Sequence, residues 1–453
     1  MVNKGYQERE IILGLLLEIN EEGVYCHKAI GDALKKYQFL PKRDRAFITR
    51  VCEGTVEYAI QIDYIINYFS KIKTADMKPV IREILRSAVY QLLYMDSVPD
   101  AAVCNEAVKL AQKKGFYNLK PFVNGVLRTV ARQKNEIQYP SKETPVAYLS
   151  ARYSMPERLV GRWVEAYGAE ITREMLRSFL KESPTTIRCI QNHNSQEKTL
   201  ESLREQHVKV EKAPYLDYAF YISGYDHLMM LDAFWNGRIQ VQDLSSMLVT
   251  EVAHPKKGDY VIDLCAAPGG KALHMADKMG DYGMVDARDI TPQKVELIQE
   301  NIARTEAINI QARCQDATVF DPDSVLKADI VLADVPCSGY GVIGRKPDIK
   351  YKMTTQKQQE LVILQRRILS MAVDYIKPGG VLVFSTCTVA REENQDNYQW
   401  LLDNFPLEAD SLDPYLPKEL RSMTTARGYL QLLPGVHHTD GFFIARFKKG
   451  MVS

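Results

Sequence analysis

Hydrophobic positions change rhythm along the chain. In the first third they recur every three to four residues, as in Ile11, Ile12, Leu15, Leu16 and Ile19, and again in Phe47, Ile48, Val51, Thr55 and Tyr58. That period puts the apolar side chains on one face of a helix. Residues 80–95 and 101–112 keep the same spacing. A further helix is predicted over 120–133, with Pro121 in the first turn, where its missing N–H costs nothing. Five or more short-looped helices without strands predict an all-α bundle.

Pro140, Pro145 and Pro156 punctuate the exit from this region, and a linker is expected near 136–150. Beyond it the pattern predicts a helix over 156–181, a strand over 185–190, a helix over 197–206 and a strand at Phe220, Tyr221 and Ile222. From about residue 255 strands and helices alternate: strands at 261–264, 283–289, 310–314, 328–334 and 381–385, with helices following the first two and a long one over 356–376. Strict alternation predicts a parallel, doubly wound α/β sheet. The expected order is an all-α domain (1–138), a small α+β domain (150–240) and an α/β domain (241–450). In such sheets the ligand sits beyond the C-terminal strand ends.

The 453 residues, 46% hydrophobic and 25% charged, describe a soluble globular protein and exclude a disordered or collagenous one. Eight cysteines without a CxxC pair read as reduced thiols. The apolar run from Ile11 to Leu17 is too short to span a bilayer, so a cytoplasmic protein without a membrane partner is expected, and a monomer. A net charge of +1 argues against nucleic acid only until it is divided. Residues 1–140 hold 21 basic and 16 acidic side chains (+5), 141–240 balance, and 241–453 hold 24 and 28 (−4). The basic first third would attract a polyanion.

Candidate chemistry gathers at the predicted strand ends. The first strand runs into Cys265-Ala266-Ala267-Pro268-Gly269-Gly270-Lys271. Small residues there let a ligand approach the backbone, and the next helix offers unpaired N–H groups. The turn lacks the first glycine and the Ser/Thr of a phosphate-gripping loop, and it is not GxGxxG. Asp289 ends the second strand and suits two vicinal ribose hydroxyls, or else caps the next helix. Asp316 closes the third and could accept from an adenine amino group, or could simply shape a turn. Together these ends favour an adenosine-type ligand.

The fourth strand ends in Asp334-Val335-Pro336-Cys337-Ser338-Gly339 and the fifth in Ser385-Thr386-Cys387-Thr388, so two thiols are expected to face one crevice. Most cysteines are small, inert core residues, and Cys52 and Cys104 are read that way. Cys337 and Cys387 lie among small polar residues, which points to reactivity. With no HExxH or paired-histidine pattern, no metal is expected, and His437-His438 is read as a solvated pair. A thiolate beside an adenosine site suits pyrimidine C5 methylation. Addition at C6 makes C5 nucleophilic, C5 takes a methyl group, and loss of the C5 proton expels the thiolate. Asp334 would hydrogen-bond near N3 or N4 of the ring.

These three motifs, in this order, resemble those of RNA cytosine-C5 methyltransferases. The resemblance implies a class I methyltransferase fold with a Rossmann-like, mostly parallel seven-stranded sheet, S-adenosylmethionine as cofactor, Cys387 as nucleophile and Cys337 as the thiol that helps release the product. It assigns the Gly-rich loop (Cys265 to Lys271), Asp289, Asp316 and Asp334 to the cofactor site. Asp44-Arg45-Ala46-Phe47, Asn105-Glu106-Ala107-Val108 and Phe122-Val123-Asn124-Gly125-Val126-Leu127-Arg128 resemble the RNA-binding antitermination factor NusB. The plain alternative for Asn124 and Gly125 is a close helix contact. A NusB-like module before such a methyltransferase resembles the Sun/RsmB (Fmu) family, which implies 16S ribosomal RNA as substrate and a small RNA-contacting domain between the two.

Three rivals stand beside this reading. DNA cytosine methylation would make Cys337 the nucleophile. An RNA-binding assembly factor would need neither thiol. A nicotinamide dehydrogenase fits the Pro-Gly-Gly loop poorly.

Overall fold

The computed structural model describes residues 4–192 and 194–451. The chain divides into two compact units, Met1–Lys181 with Ile343–Lys352, and Glu182–Val342 with Met353–Ser453.

The first unit is helical: α1 (Lys4–Asn20), α2 (Cys26–Lys36), α3 (Lys42–Glu57), α4 (Ala59–Phe69), α5 (Pro79–Tyr94), α6 (Asp100–Lys113), α7 (Lys120–Gln133), α8 (Pro145–Tyr153) and α9 (Glu157–Phe179). The apolar stripes meet in one core, where Ile12, Leu16, Val51, Leu85, Val89, Val103 and Leu127 are buried. Cys52 and Cys104 lie in that core, as expected. Gly54 of α3 is the point of closest approach to α5, because a Cβ there would lie 2.0 Å from Tyr90 Cζ. The stretch expected to be linker contains α8, begun by Pro145 at its first turn.

A ten-residue excursion from the distant sequence completes this unit. Asp348 Oδ2 accepts the N–H of Cys26, the first residue of α2, at 2.9 Å. The buried Lys350 ammonium donates to the carbonyls of Glu57 and Ser154, each at 2.6 Å. It thereby satisfies two helix-end carbonyl groups that would otherwise lack donors.

The second unit holds two sheets. The smaller has four antiparallel strands in the order β2-β3-β1-β4: β1 (Thr185–Cys189), β2 (Lys209–Lys212), β3 (Ala219–Ser223) and β4 (Ile239–Val241). The larger contains β5 (Tyr260–Asp263), β6 (Met284–Asp289), β7 (Ile310–Cys314), β8 (Ala328–Asp334), β9 (Ile376–Thr386), β10 (Leu407–Ala409), β11 (Tyr429–Leu432) and β12 (Phe442–Lys449). Its order is β10-β12-β9-β8-β5-β6-β7, a path of seven strands with β11 beside β12. Strands β5 to β9 are mutually parallel, and β10, β11 and β12 pair antiparallel. The core strands are runs of buried aliphatics such as Val261, Ile262, Val331, Leu332 and Val383, as a sheet covered on both faces requires. The chain steps outward through β6 and β7, then crosses to β8 on the other side of β5. The order reverses between β5 and β8, and ligands bind at the C-terminal ends flanking such a reversal.

The expected solvated histidine pair is half wrong. His438 is exposed, but His437 is half-buried and its Nδ1 accepts the Leu433 N–H at 2.9 Å. That bond closes a turn, a role that hydropathy alone does not signal.

Candidate active site

The loops after β5, β8 and β9 converge where the strand order reverses. Gly269 adopts φ +103°, a left-handed conformation that only glycine takes readily, and the helix Gly270–Met279 starts from it. A cleft of about 210 Å³ is lined by Cys265, Ala266, Ala267, Pro268, Gly270, Lys271 and Asp334, with Gln242, Asp243 and Asp263 among the remaining walls. The loop and the acid named from sequence are therefore brought together.

Asp289 supports this loop from β6. Its Oδ2 accepts the Ala267 N–H at 3.0 Å, and Lys294 pairs with Oδ1 at 2.9 Å. The next helix is capped by Thr291, not by Asp289. Asp316 lies outside the residues lining the cleft, and its Oδ1 takes the Thr318 N–H and hydroxyl at 2.8 and 2.7 Å.

Three polar groups, Asp263, Gln242 and Arg188, were not singled out from the sequence. Asp263 ends β5 and is fully buried, and burial, then the nearby Asp334 charge, push its carboxyl up to about 7. Its Oδ2 has no hydrogen-bond partner among the described residues, nor has Gln242 Nε2 across the cleft. Gln242 is fixed by Arg188, whose Nε donates to its Oε1 at 3.1 Å and whose guanidinium pairs with Asp277. An unpartnered buried acceptor and donor facing one cleft suit a ligand that carries both an ammonium and a carboxylate. The strand-end rule could have found Asp263. Nothing local marks Gln242.

Asp334 holds two partners: Lys271 Nζ at 2.6 Å on Oδ2 and the Ser385 hydroxyl at 2.7 Å on Oδ1. Burial alone would depress the Lys271 ammonium, but the pairing with Asp334 and the charges of Asp263 and Cys387 hold it above its ordinary value. The same ammonium lies 5.4 Å from the centre of the Phe442 ring.

Strands β8 and β9 are neighbours, with Asp334 opposite Ser385. The loops that follow them bring Cys337 Sγ and Cys387 Sγ to 3.3 Å, both half-buried. The hydrogen bond to Cys387, then burial, the charge of Cys387 and that of Glu393 keep the Cys337 thiol well above its usual range. Cys337 is thus held as a thiol.

In the helical unit, Asn105, Lys109, Lys120 and Asn124 line a groove of about 480 Å³ between α6 and α7. Gly125 is exposed and a Cβ there would meet nothing within 4 Å, so no close helix contact explains it. Among the described residues no helix is long and apolar enough to cross a membrane.

Known proteins are similar to this chain. Residues 250–448 match the family described as 16S rRNA methyltransferase RsmB/F, residues 6–132 the NusB family, and residues 155–225 the RsmF/B-like ferredoxin-like domain. A probable ribosomal RNA small subunit methyltransferase B of Bacillus subtilis is 34% identical over 447 residues, covering 97% of this chain and 98% of the relative. The corresponding enzyme of Yersinia pestis is 30% identical over 450 residues, 98% of this chain and 99% of its own. The crystal structure of PH0851 superposes with TM-score 0.79 at 26% identity, covering 98% of each chain. A methyltransferase homologue from Pyrococcus horikoshii gives 0.58 at 26% identity, covering 68% of this chain and 99% of that one. By sequence along its whole length and by the fold of both units, the chain belongs to the RsmB/F family of 16S rRNA cytosine-C5 methyltransferases, with a NusB-like domain ahead of the catalytic one.

Proposed function

We propose that the chain methylates C5 of one cytosine in 16S ribosomal RNA through a covalent bond between Cys387 and C6, resolved with help from Cys337. The observation that carries this reading is the 3.3 Å approach of the two thiols beside the Lys271–Asp334 pair.

The Cys387 sulfur adds to C6, and the electron pair released into the ring makes C5 nucleophilic. A carboxylate at Asp334 accepts from N4–H or from a protonated N3, while the Lys271 ammonium donates to a ring acceptor. Both hydrogen bonds strengthen as charge spreads over the ring. Bound S-adenosylmethionine supplies the methyl group. Its site would be the Cys265–Lys271 loop with Asp334, backed by Asp289, with Asp316, outside the cleft lining, as the further acid that the resemblance adds, and the unpartnered atoms of Asp263 and Gln242 fit its ammonium and carboxylate. Cys337, held as a thiol, stands next to the sulfur that must leave. A water molecule acting as base takes the C5 proton, the C–H electron pair re-forms the C5–C6 double bond, the S–C6 pair leaves on Cys387 as thiolate, and Cys337 donates its hydrogen bond to that departing thiolate. The target base must be extruded or unpaired, since both faces of C5–C6 are used.

The functional division we propose follows the expected domains: RNA positioning by 1–138 and 150–240, chemistry in 241–450. The Asn105–Asn124 groove with Lys109 and Lys120 is a candidate phosphate-contacting surface. The test is methylation of 16S RNA, free or in assembly particles, by the wild type and Cys387→Ala. Loss of methylation with cofactor affinity retained supports the assignment. Undiminished methylation rejects it.

A further inference from the structure

Two adjacent residues outside the predicted motifs reach both thiol loops. Glu393 and Asn394 follow Cys387 in the segment before the helix Gln395–Asn404, and both are fully buried. Glu393 Oε2 accepts the N–H of Ser338, the residue after Cys337, at 2.8 Å. Gln365 Nε2 donates to the same oxygen and to the carbonyl of Pro336, the residue before Cys337, each at 2.9 Å. The Cys337 turn is therefore gripped on both sides.

Asn394 does the same for the other thiol. Its Oδ1 accepts from the Thr386 hydroxyl at 2.5 Å, and its Nδ2 donates to the Thr388 carbonyl at 3.0 Å. These are the residues before and after Cys387. A direct bridge joins the loops as well, since Ser338 Oγ and Thr388 Oγ1 lie 2.7 Å apart.

We infer that the Glu393-Asn394 dipeptide is the positioning element of the active site: one carboxylate and one amide on consecutive residues fix the separation of Cys337 and Cys387. A rigid dipeptide sets the two loops relative to each other more tightly than separate anchors would. Each anchor is buried and fully hydrogen-bonded, which locks its rotamer. The inference rests on the two-thiol reading for its catalytic meaning, but the geometry it asserts is measurable without RNA or cofactor.

The test uses the full-length protein and diamide, which takes two electrons and two protons from a pair of thiols and leaves a disulfide. The rate of Cys337–Cys387 cross-linking, read by peptide mass spectrometry, reports how the sulfurs are held. Glu393→Ala and Asn394→Ala should slow it by about tenfold or more, the scale on which small misplacements act. Glu393→Gln keeps the shape and one acceptor, and Gln358, which now donates to Oε1 at 3.2 Å, can turn its amide to suit. It should recover most of the rate. Asn394→Asp keeps the volume and the acceptor for Thr386 but loses the donor to the Thr388 carbonyl and to Gln431 Oε1, so it should be slow; the buried carboxylate also lowers its melting temperature, and its rate is read well below that temperature, where it is folded. This isosteric variant decides the matter if the alanine variants fail to fold. In folded Asn394→Asp, kcat for methylation should fall with KM for RNA unchanged. Cross-linking of folded Glu393→Ala or Asn394→Asp at the wild-type rate would overturn the inference. Failure of the two-thiol reading would show separately, as methylation by Cys387→Ala with cross-linking behaviour as described.

Discussion

The ammonium of Lys271 and the carboxylate of Asp334 pair at 2.6 Å and tie the Gly-rich turn after β5 to the loop that carries Cys337. Both side chains are largely removed from solvent, at 15% and 24% exposure, so neither charge is well solvated without the other. Lys271→Met should therefore abolish turnover and also destabilise the fold by about 3 kcal/mol, because it strands a partly buried carboxylate. The Lys271→Met/Asp334→Asn double variant should recover the stability and none of the activity. Melting curves beside methylation assays separate the two effects.

Asp263 titrates near neutrality because it is buried next to Asp334. Its carboxyl binds a proton more tightly in the folded chain than in the unfolded one, so it stabilises most at low pH. That contribution is lost as pH rises from about 4 to about 7. Asp263→Asn, which carries no charge to desolvate, should be closest to the wild type in stability near pH 4. It should gain on the wild type by an amount on the order of a few kcal/mol by pH 8. Denaturant titration across this range checks it; a difference that does not change with pH would refute the assignment.

Glycines 341 and 125 should respond oppositely to alanine. A Cβ on Gly341 would lie 1.8 Å from the carbonyl oxygen of Gly441, and the Gly341 N–H donates to the Cys387 carbonyl at 3.0 Å. Two backbones cannot separate without moving the Cys387 loop. Gly341→Ala should cost about 1–3 kcal/mol and most of the activity. Gly125, exposed inside α7, has open space around it, so Gly125→Ala should stabilise by about 0.5–1 kcal/mol.

RNA affinity should fall steeply with salt if the basic helical unit grips phosphates. Removing one phosphate-binding lysine should flatten the slope of log K against log salt by about 0.7–0.9. Lys109→Ala and Lys120→Ala should each do so with kcat at saturating RNA preserved. Filter binding between low and physiological salt measures the slopes.

The candidate cleft was legible because a parallel sheet places polar residues at strand ends, and strand ends are visible as an aliphatic run stopping at small or polar residues. That is how Lys271, Asp334, Cys337 and Cys387 stood out, and the same rule reaches Asp263. Glu393 and Asn394 were not legible. Glu393 bonds Ser338 and Gln365, 55 and 28 residues away, and Asn394 bonds Thr386 and Thr388, 8 and 6 residues away; no periodicity encodes either set of pairings. The strands β2 and β4 escaped for another reason: one is mostly exposed and the other only three residues long, so neither alternates enough to register. The segment Ile343–Lys352 carries no sign in its composition that it completes the helical unit.

We assign different parts of the reaction to two sulfurs 3.3 Å apart. An RNA substrate whose target cytosine bears fluorine at C5 has no C5 proton to lose, so the adduct persists and its protein end can be sequenced by mass spectrometry. The nucleotide should be found on Cys387 in the wild type, and no adduct in Cys387→Ala. A nucleotide found on Cys337 would contradict the assignment.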